Sequence, residues 1–268
     1  MTKGKKFLAY SFLTFVSLLS VFPLYWMMVA ATNKSVAVSR GTLMFGTELL
    51  NNTKKLFASQ NVYAALGNSF KYSIVMTLVS LFICSIAGYG FEIFHDKAKD
   101  RVMSIILLAM MVPFAAIMIP LYQMFSKANL LNSTLGFILP SISTPFLIMM
   151  FRQSARSFPV DIMEAARLDG LNEFQIFCRM FIPTMRSTYA AAMTITFMNA
   201  WNSYLWPKVI MSDANSITMP MMVANLKSGY VTDYGTLMLA VLLCTIPTVI
   251  VFFLLQKSFA EGITGAVK

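Results

Sequence analysis

Apolar residues in this chain run in long charge-free blocks, without the three-to-four-residue spacing of a half-buried helix in a soluble core. The blocks cover residues 7–33, 72–91, 102–126, 128–151, 187–207 and 234–256. Each approaches or exceeds the roughly 20 residues an α-helix needs to cross about 30 Å of hydrocarbon. The pattern predicts an all-α polytopic membrane protein of six transmembrane helices. Pro113, Pro120, Pro140, Pro145 and Pro247 lie inside blocks and predict kinks, tolerated where neighbouring helices satisfy the freed backbone groups. Lys127-Ala128-Asn129 and Asn132-Ser133 supply a short polar hairpin between the third and fourth blocks.

Composition agrees with lipid as the solvent. The 268 residues are 57% hydrophobic and 12% charged, with mean hydropathy +0.68, whereas soluble domains are near a quarter charged. A net charge of +10 would suggest nucleic acid for a soluble protein, but here Lys and Arg sit at the block edges. That placement is topological, and no nucleic-acid partner is expected. With six spans both termini share a side. Placing them in the cytoplasm puts 13 Lys and Arg inside and 7 outside, with Lys71 at a span end, so both ends are expected to be cytoplasmic. The first block follows Lys3, Lys5 and Lys6 and is longer than the apolar core of a secretory leader, so it is taken as the first span.

Candidate chemistry is sparse. Cys84, Cys178 and Cys244 are scattered and form no pair motif. The 22 methionines show no repeated ligand spacing, and no metal site is expected. His95 stands alone beside Asp96 in a short inner loop and is taken as solvated; snorkelling accounts for Lys71 and Glu92 at the ends of the second span. No Asp, Glu, Lys or Arg lies mid-span, which argues against a secondary transporter coupled to protons. One His and no HExxH argue against a membrane-embedded metalloenzyme.

Two outer segments, 34–71 and 208–233, are long and polar with interspersed apolar residues. The inner segment 152–186 carries both signs of charge. Pro159 and Asp161 signal a helix start, after which Ile162, Met163, Ala165, Ala166 and Leu168 recur at helical spacing. Asp169-Gly170 breaks it, Gly suiting a left-handed cap. A second helix over 173–181 places Phe174, Phe177, Cys178 and Phe181 on one face before Pro183. Such a pair of helices lies on lipid or docks into a protein. Asp161, Glu164, Asp169 and Glu173 favour docking, because an anionic inner leaflet repels acidic faces.

Glu164-Ala165-Ala166, Asp169-Gly170, Phe174, Ile182 and Pro183 resemble the EAA loop of binding-protein-dependent ABC importer permeases, in composition, spacing and position before the penultimate span. One departure is Arg186-Ser187, where the pattern expects a second proline. Pro23-Leu24-Tyr25-Trp26-Met27, Asn68-Ser69, Ala200-Trp201-Asn202, Leu205-Trp206-Pro207 and the tail 259–268 extend the likeness over nearly the whole chain, toward the carbohydrate branch and its maltose-type second permease subunit. Permeases for amino acids or peptides share the EAA loop and are the alternative, with a secondary transporter behind them.

The resemblance implies a single transmembrane permease domain over 1–268 in the bacterial plasma (inner) membrane. It implies as partners a paralogous permease subunit, two ATPase subunits and an extracytoplasmic sugar-binding protein, besides membrane lipid. It assigns ATPase coupling to Glu164, Ala165, Ala166, Asp169, Gly170, Phe174 and Pro183, with Ala165 and Ala166 small enough for a docking groove. The chain itself contains no GxxxxGK(S/T) phosphate loop, so no cofactor is expected in it; ATP and Mg would bind the partner subunits, and the chain is not expected to be an enzyme. The position of 212–233 matches a loop that contacts the binding protein, through Met219, Pro220 and Met221; an ordinary loop packed on its own spans is the alternative. Asn199, Trp201 and Asn202 are candidates for the substrate pathway. Helix-to-helix hydrogen bonding explains the asparagines as well, and an interfacial aromatic belt explains Tyr204 and Trp206.

Overall fold

A computed structural model describes residues 3–227 and 232–265, with side chains over 4–227 and 232–256. Residues 228–231 of the outer segment and 266–268 of the tail lie outside the described residues, so the tail resemblance is only partly covered. Every element among the described residues is helical. The chain forms two compact units, one of Met1–Tyr63 with Met221–Pro247 and one of Ala64–Pro220 with Thr248–Lys268.

In the first unit, α1 (Lys3–Ala31) is apolar on every side. Its side chains are mostly exposed as far as Met28, Phe7 by 75% and Leu18 by 67%, with Ala9, Trp26 and Met27 half-buried, and full burial begins at Val29. A helix without a polar face and without a protein cover has lipid as its solvent. Short α2 (Ser35–Ser39) and α3 (Leu49–Ser59) follow. Buried Asn52 of α3 donates its amide to the carbonyls of Ala31, at 2.9 Å, and Asn33, at 3.0 Å. It thereby satisfies acceptors that the end of α1 leaves without an intrahelical partner. Lys55 pairs with Asp233 at 2.9 Å, tying α3 to the segment just before the last helix.

The second unit is built on α4 (Val62–Ile93). Asp96 then caps α5 (Lys97–Ala109) by accepting from the Lys99 amide at 2.8 Å, and α6 (Phe114–Lys127) follows. Asn129 and Asn132 both take left-handed backbone conformations, φ 55° and 54°, which makes the expected hairpin. Ser133 caps α7 (Thr134–Ile138), a 3₁₀ turn covers Leu139–Ser141, and α8 (Pro145–Ala155) completes that block. The inner segment holds α9 (Val160–Leu168), α10 (Glu173–Ile176), a π turn over Phe177–Phe181, and α11 (Ile182–Thr184). After α12 (Arg186–Trp201) and α13 (Leu205–Ile210), α14 (Met219–Lys227) and α15 (Tyr234–Gly265) each contribute to both units.

The six expected spans are not six continuous helices. Among the described residues, three helices are long and apolar enough to cross a membrane alone: Gly4–Ala31, Val62–Ile93 and Tyr234–Gln256. The third and fourth blocks are bent pairs, α5 with α6 at 96° and the helical run Thr134–Ser141 with α8 at 56°. The fifth block is α12 followed by a turn and α13. The 16 residues of α12 span about 24 Å at 1.5 Å per residue, short of about 30 Å of hydrocarbon.

Proline explains both bends. Pro113 and Thr144, the residue before Pro145, have extended backbones, ψ 131° and 130°. Proline lacks an N–H and disfavours helix in the residue before it. Pro23, Pro120 and Pro247 are by contrast carried inside helices.

Packing in this unit depends on close backbone approach. At Gly88 on α4, a Cβ would fall 2.5 Å from Phe151 Cβ and 2.7 Å from the Arg152 nitrogen of α8. Leu81, Cys84, Met103, Leu147, Ile148, Phe151 and Ala192 form a buried cluster among α4, α5, α8 and α12. Small residues that bring backbones together are what van der Waals packing uses in a membrane.

Candidate functional site

The inner loop is built from its caps. α9 ends in a Schellman motif: Gly170, at φ +80°, donates to Arg167 O at 3.1 Å, and Leu171 donates to Ala166 O at 3.0 Å. An added Cβ on Gly170 would meet nothing within 4 Å, so backbone conformation alone calls for glycine. α10 then opens with a reciprocal capping box between Asn172 and Gln175. These two motifs turn the chain in four residues and explain why the break at Asp169-Gly170 is sharp.

The loop has a core of its own. Phe158, Met163, Ala166, Ile176, Phe177 and Phe181 are buried with Ala155, Met185 and Tyr89 of α4. The Tyr89 ring packs edge-on against Phe177 and Phe181, at 5.4 and 5.0 Å, and its hydroxyl donates to Glu173 Oε2 at 3.2 Å. Glu173 also accepts from Arg167 Nε at 2.8 Å. Two helices of the loop are thereby joined to each other and to a transmembrane helix. Tyr89, Arg167 and Glu173 were not legible as one group, because they are up to 84 residues apart.

The proposed coupling residues divide. Glu164, Ala165, Asp169 and Pro183 are exposed, as is Phe174, by 60%. Ala166 is 3% exposed and packs inward, which corrects its expected place in a partner's groove. Phe174 faces outward although its ring stacks on buried Phe177 at 6.5 Å, so the positions expected on one face divide between surface and core. The outward apolar surface is instead Leu168, 89% exposed, with Phe174 and Ile162.

Beside this loop lies a charged cluster. Arg152, its side chain 5% exposed, bonds Glu92 at 3.1 Å and Asp100 at 2.5 Å. Arg156 approaches Glu92 at 3.4 Å, and His95 Nε2 lies 3.0 Å from Asp100. His95 is half-exposed, as expected of a solvated loop residue, and pairs with its near neighbour Asp100; Glu92 is more than the snorkelling residue expected, because with Arg152, Arg156 and Asp100 it forms a network that ties α4, α5 and α8. Asp96 faces the Lys99 ammonium and backbone, which hold its carboxyl below the usual range.

The candidates in and after α12 also separate. A cavity of 640 Å³ in the second unit is lined by Asn199, Thr196 and Ser203, by Phe114, Phe146 and Trp206, and by the residues at both helix bends. Trp201 is not in its lining: it is 1% exposed, stacked on Phe197 at 5.7 Å with Phe70 edge-on at 4.8 Å. Asn202 donates to its own helix at Met198 O, 2.9 Å. Trp206 is 4% exposed and donates to Gly136 O at 2.9 Å, so this indole is packed within the protein.

In the outer segment, Met219 and Met221 are buried, at 0% and 2% exposure, and Pro220 is half-buried. They start α14, not an open loop, and of the three only Pro220 reaches the surface. The Met219 amide donates to Ser69 Oγ at 2.8 Å. The exposed stretch is Ser212 to Asn215, held by Asn132 Oδ1, which accepts from the Ser212 and Asp213 amides at 2.7 and 3.0 Å.

Comparison with known proteins agrees with this architecture. Residues 80–265 match the family model described as binding-protein-dependent transport system inner membrane component. The chain is 44% identical to the lactose transport system permease protein LacG of Rhizobium radiobacter, over 97% of this chain and 95% of that one. It is 34% identical to the arabinooligosaccharides transport system permease protein AraQ of Halalkalibacterium halodurans, over 95% and 93%. Its fold is similar to a chain in the crystal structure of a bacterial ABC transporter involved in the import of the acidic polysaccharide alginate, with TM-score 0.84 and 18% identity, over 97% and 99%. A polytopic helical membrane protein, with a 159–181 loop of capped helices and a matched sequence over most of its length, this chain belongs to the family of inner-membrane permease components of binding-protein-dependent ABC transport systems.

Proposed function

We propose that this chain is one of two paralogous permease subunits of an ATP-driven importer for a sugar or oligosaccharide. The 44% identity to a lactose permease and 34% to an arabinooligosaccharide permease support a carbohydrate substrate. In this reading an extracytoplasmic binding protein delivers the sugar, two ATPase subunits bind and hydrolyse ATP with Mg, and this chain carries no catalytic step. Both termini lie in the cytoplasm, as does the 152–186 loop.

The observation that carries the coupling role is the loop's construction. Leu168 and Phe174 present apolar surface outward, while the opposite side of the same helices shares a core with Tyr89 of α4. A partner that grips the outer side moves the inner side as one body, because close-packed interiors transmit displacement. Leu168→Asp with Phe174→Asp is expected to abolish copurification of the ATPase subunits with a membrane-inserted, folded permease pair. Retained ATPase and retained sugar-stimulated hydrolysis in that double variant refute the docking surface. Stimulation of the wild-type complex by an amino acid or peptide, and by no sugar, refutes the carbohydrate reading.

A further inference from the structure

The cavity in the second unit brings together features that lie far apart in the chain. Its wall includes Met110 and Pro113 from the 96° bend and Ser141, Thr144 and Pro145 from the 56° bend. At both bends the regular helical ladder is interrupted: the Met110, Met111 and Val112 amides fall back on tighter bonds to Leu107, Leu108 and Ala109 O, and the Ser141 and Ile142 carbonyls accept from Ser80 and Cys84 of α4. At membrane depth such backbone is tolerated only where it is buried in protein or borders a water-filled cavity. Two independent interruptions open onto one space.

The side chains have spare hydrogen-bonding capacity. Thr196 lines the cavity, is 2% exposed, and its buried hydroxyl has no hydrogen-bond partner. Buried hydroxyls are normally paired, and each exception calls for a reason. Three residues on, Asn199 is exposed at the cavity. A carboxamide offers two donors and two acceptor positions, and its presence on a mid-chain apolar helix matches a polar occupant. Phe146, 50% exposed, and Phe114, 36% exposed, supply apolar ring surface to the same wall. Among the described residues, none that is acidic or basic lines the cavity. Its 640 Å³ falls within the roughly 300–1,000 Å³ of small-molecule sites.

We propose that this cavity is a saccharide site belonging to this subunit itself, in which Asn199 and Thr196 hydrogen-bond the hydroxyls of an uncharged sugar and Phe146 and Phe114 cover its apolar ring faces. The proposal rests on the importer reading and adds to it both the place where this chain touches substrate and the charge class of that substrate. Neutrality follows from the lining: a carboxylate or phosphate in a low-dielectric space requires a cation or a dense donor set, and this wall presents hydroxyls and one carboxamide.

The test uses the complete complex, with its partner permease, ATPase subunits and binding protein, in proteoliposomes. Uptake of tritiated lactose, maltose, raffinose and arabinotriose is compared with that of galacturonate oligomers. Asn199→Leu is expected to lower uptake of the transported sugar about tenfold, the equivalent of one lost hydrogen bond to substrate. The near-isosteric Thr196→Val is expected to lower it severalfold, and Asn199→Gln to restore part of the loss. As a second readout, Asn199→Cys in a background with Cys84→Ala, Cys178→Ser and Cys244→Ser is labelled with a water-soluble maleimide, and the transported sugar is expected to slow labelling at least fivefold. Wild-type uptake by Asn199→Leu, or labelling that the sugar does not slow, overturns the site while leaving the importer reading intact. Preference for the acidic oligomers overturns the neutral-substrate assignment. A wild-type complex that takes up none of these saccharides overturns both readings.

Discussion

Gly170 offers a graded test of the coupling loop. Its φ of +80° costs a residue with a Cβ about 1–2 kcal/mol relative to ordinary backbone. Because a Cβ there would touch nothing within 4 Å, no steric penalty is added. Gly170→Ala keeps both bonds of the Schellman motif and should loosen the loop by that amount alone, raising its local opening equilibrium about 5- to 30-fold. Gly170→Asn should cost less, since asparagine tolerates the left-handed region. Gly170→Pro cannot adopt a positive φ and removes the N–H that bonds Arg167 O at 3.1 Å, so the turn itself should be lost. Hydrogen exchange over 160–181 in the purified complex is expected to accelerate in the order Asn, Ala, Pro. Sugar- and binding-protein-stimulated ATP hydrolysis is expected to fall in the same order while basal assembly persists in the Asn and Ala variants. Wild-type exchange in Gly170→Ala would refute the backbone argument. Full stimulation in an assembled Gly170→Pro complex would remove this loop from coupling.

Three further outcomes follow from packing and charge. Gly88→Val places a branched side chain where even a Cβ falls 2.5 Å from Phe151; overpacking of this kind costs about 1–3 kcal/mol, and an unchanged thermal midpoint of the solubilised complex would count against the α4–α8 contact. Tyr89→Phe removes the hydroxyl bond to Glu173, worth about 1 kcal/mol, and should speed exchange over 173–181 about fivefold while leaving 49–59 unaffected. Burial pushes the Asp233 carboxyl up, but Lys55 and the Thr236 and Gly235 amides outweigh it and hold the group below its usual value. A depressed folded pKa means that its stabilisation is present above the unfolded value of about 3.9 and is lost as pH falls through the folded one. Asp233→Asn should therefore flatten the acid-side fall in thermal midpoint, and a midpoint profile parallel to wild type between about pH 3 and 5 would show that the Lys55 pair contributes nothing.

Much of the inner loop was legible because its signals are local. Pro159, Asp169-Gly170 and the apolar spacing of 162–168 report backbone preferences that act within one or two turns, and α9 and its cap stand where they point. Which side of the second helix is buried was not legible, because Phe177 and Phe181 are covered by Tyr89, 88 residues or more away along the chain, while Phe174 is left exposed. The same holds for Glu92. At the end of its helix it looks like a snorkelling residue, and only the return of α8 brings Arg152 and Arg156 into its reach. Asn199 and Asn202 are alike in sequence and three residues apart, but Asn199 lies on α12 at the cavity while Asn202 caps the end of that helix and bonds Met198 O.

The sequence alone determined that the chain is helical, apolar and membrane-embedded, where its inner loop turns, and which family it resembles. Those properties follow from composition, local backbone preference and residue order, which need no partner distant in the chain. Tertiary structure decided which proline becomes a break and which is carried in a helix, which residues of the loop face outward, and where unpaired polar groups share one cavity. Each of these depends on which groups fill the space beside a residue, and in this chain they come from helices tens of residues away.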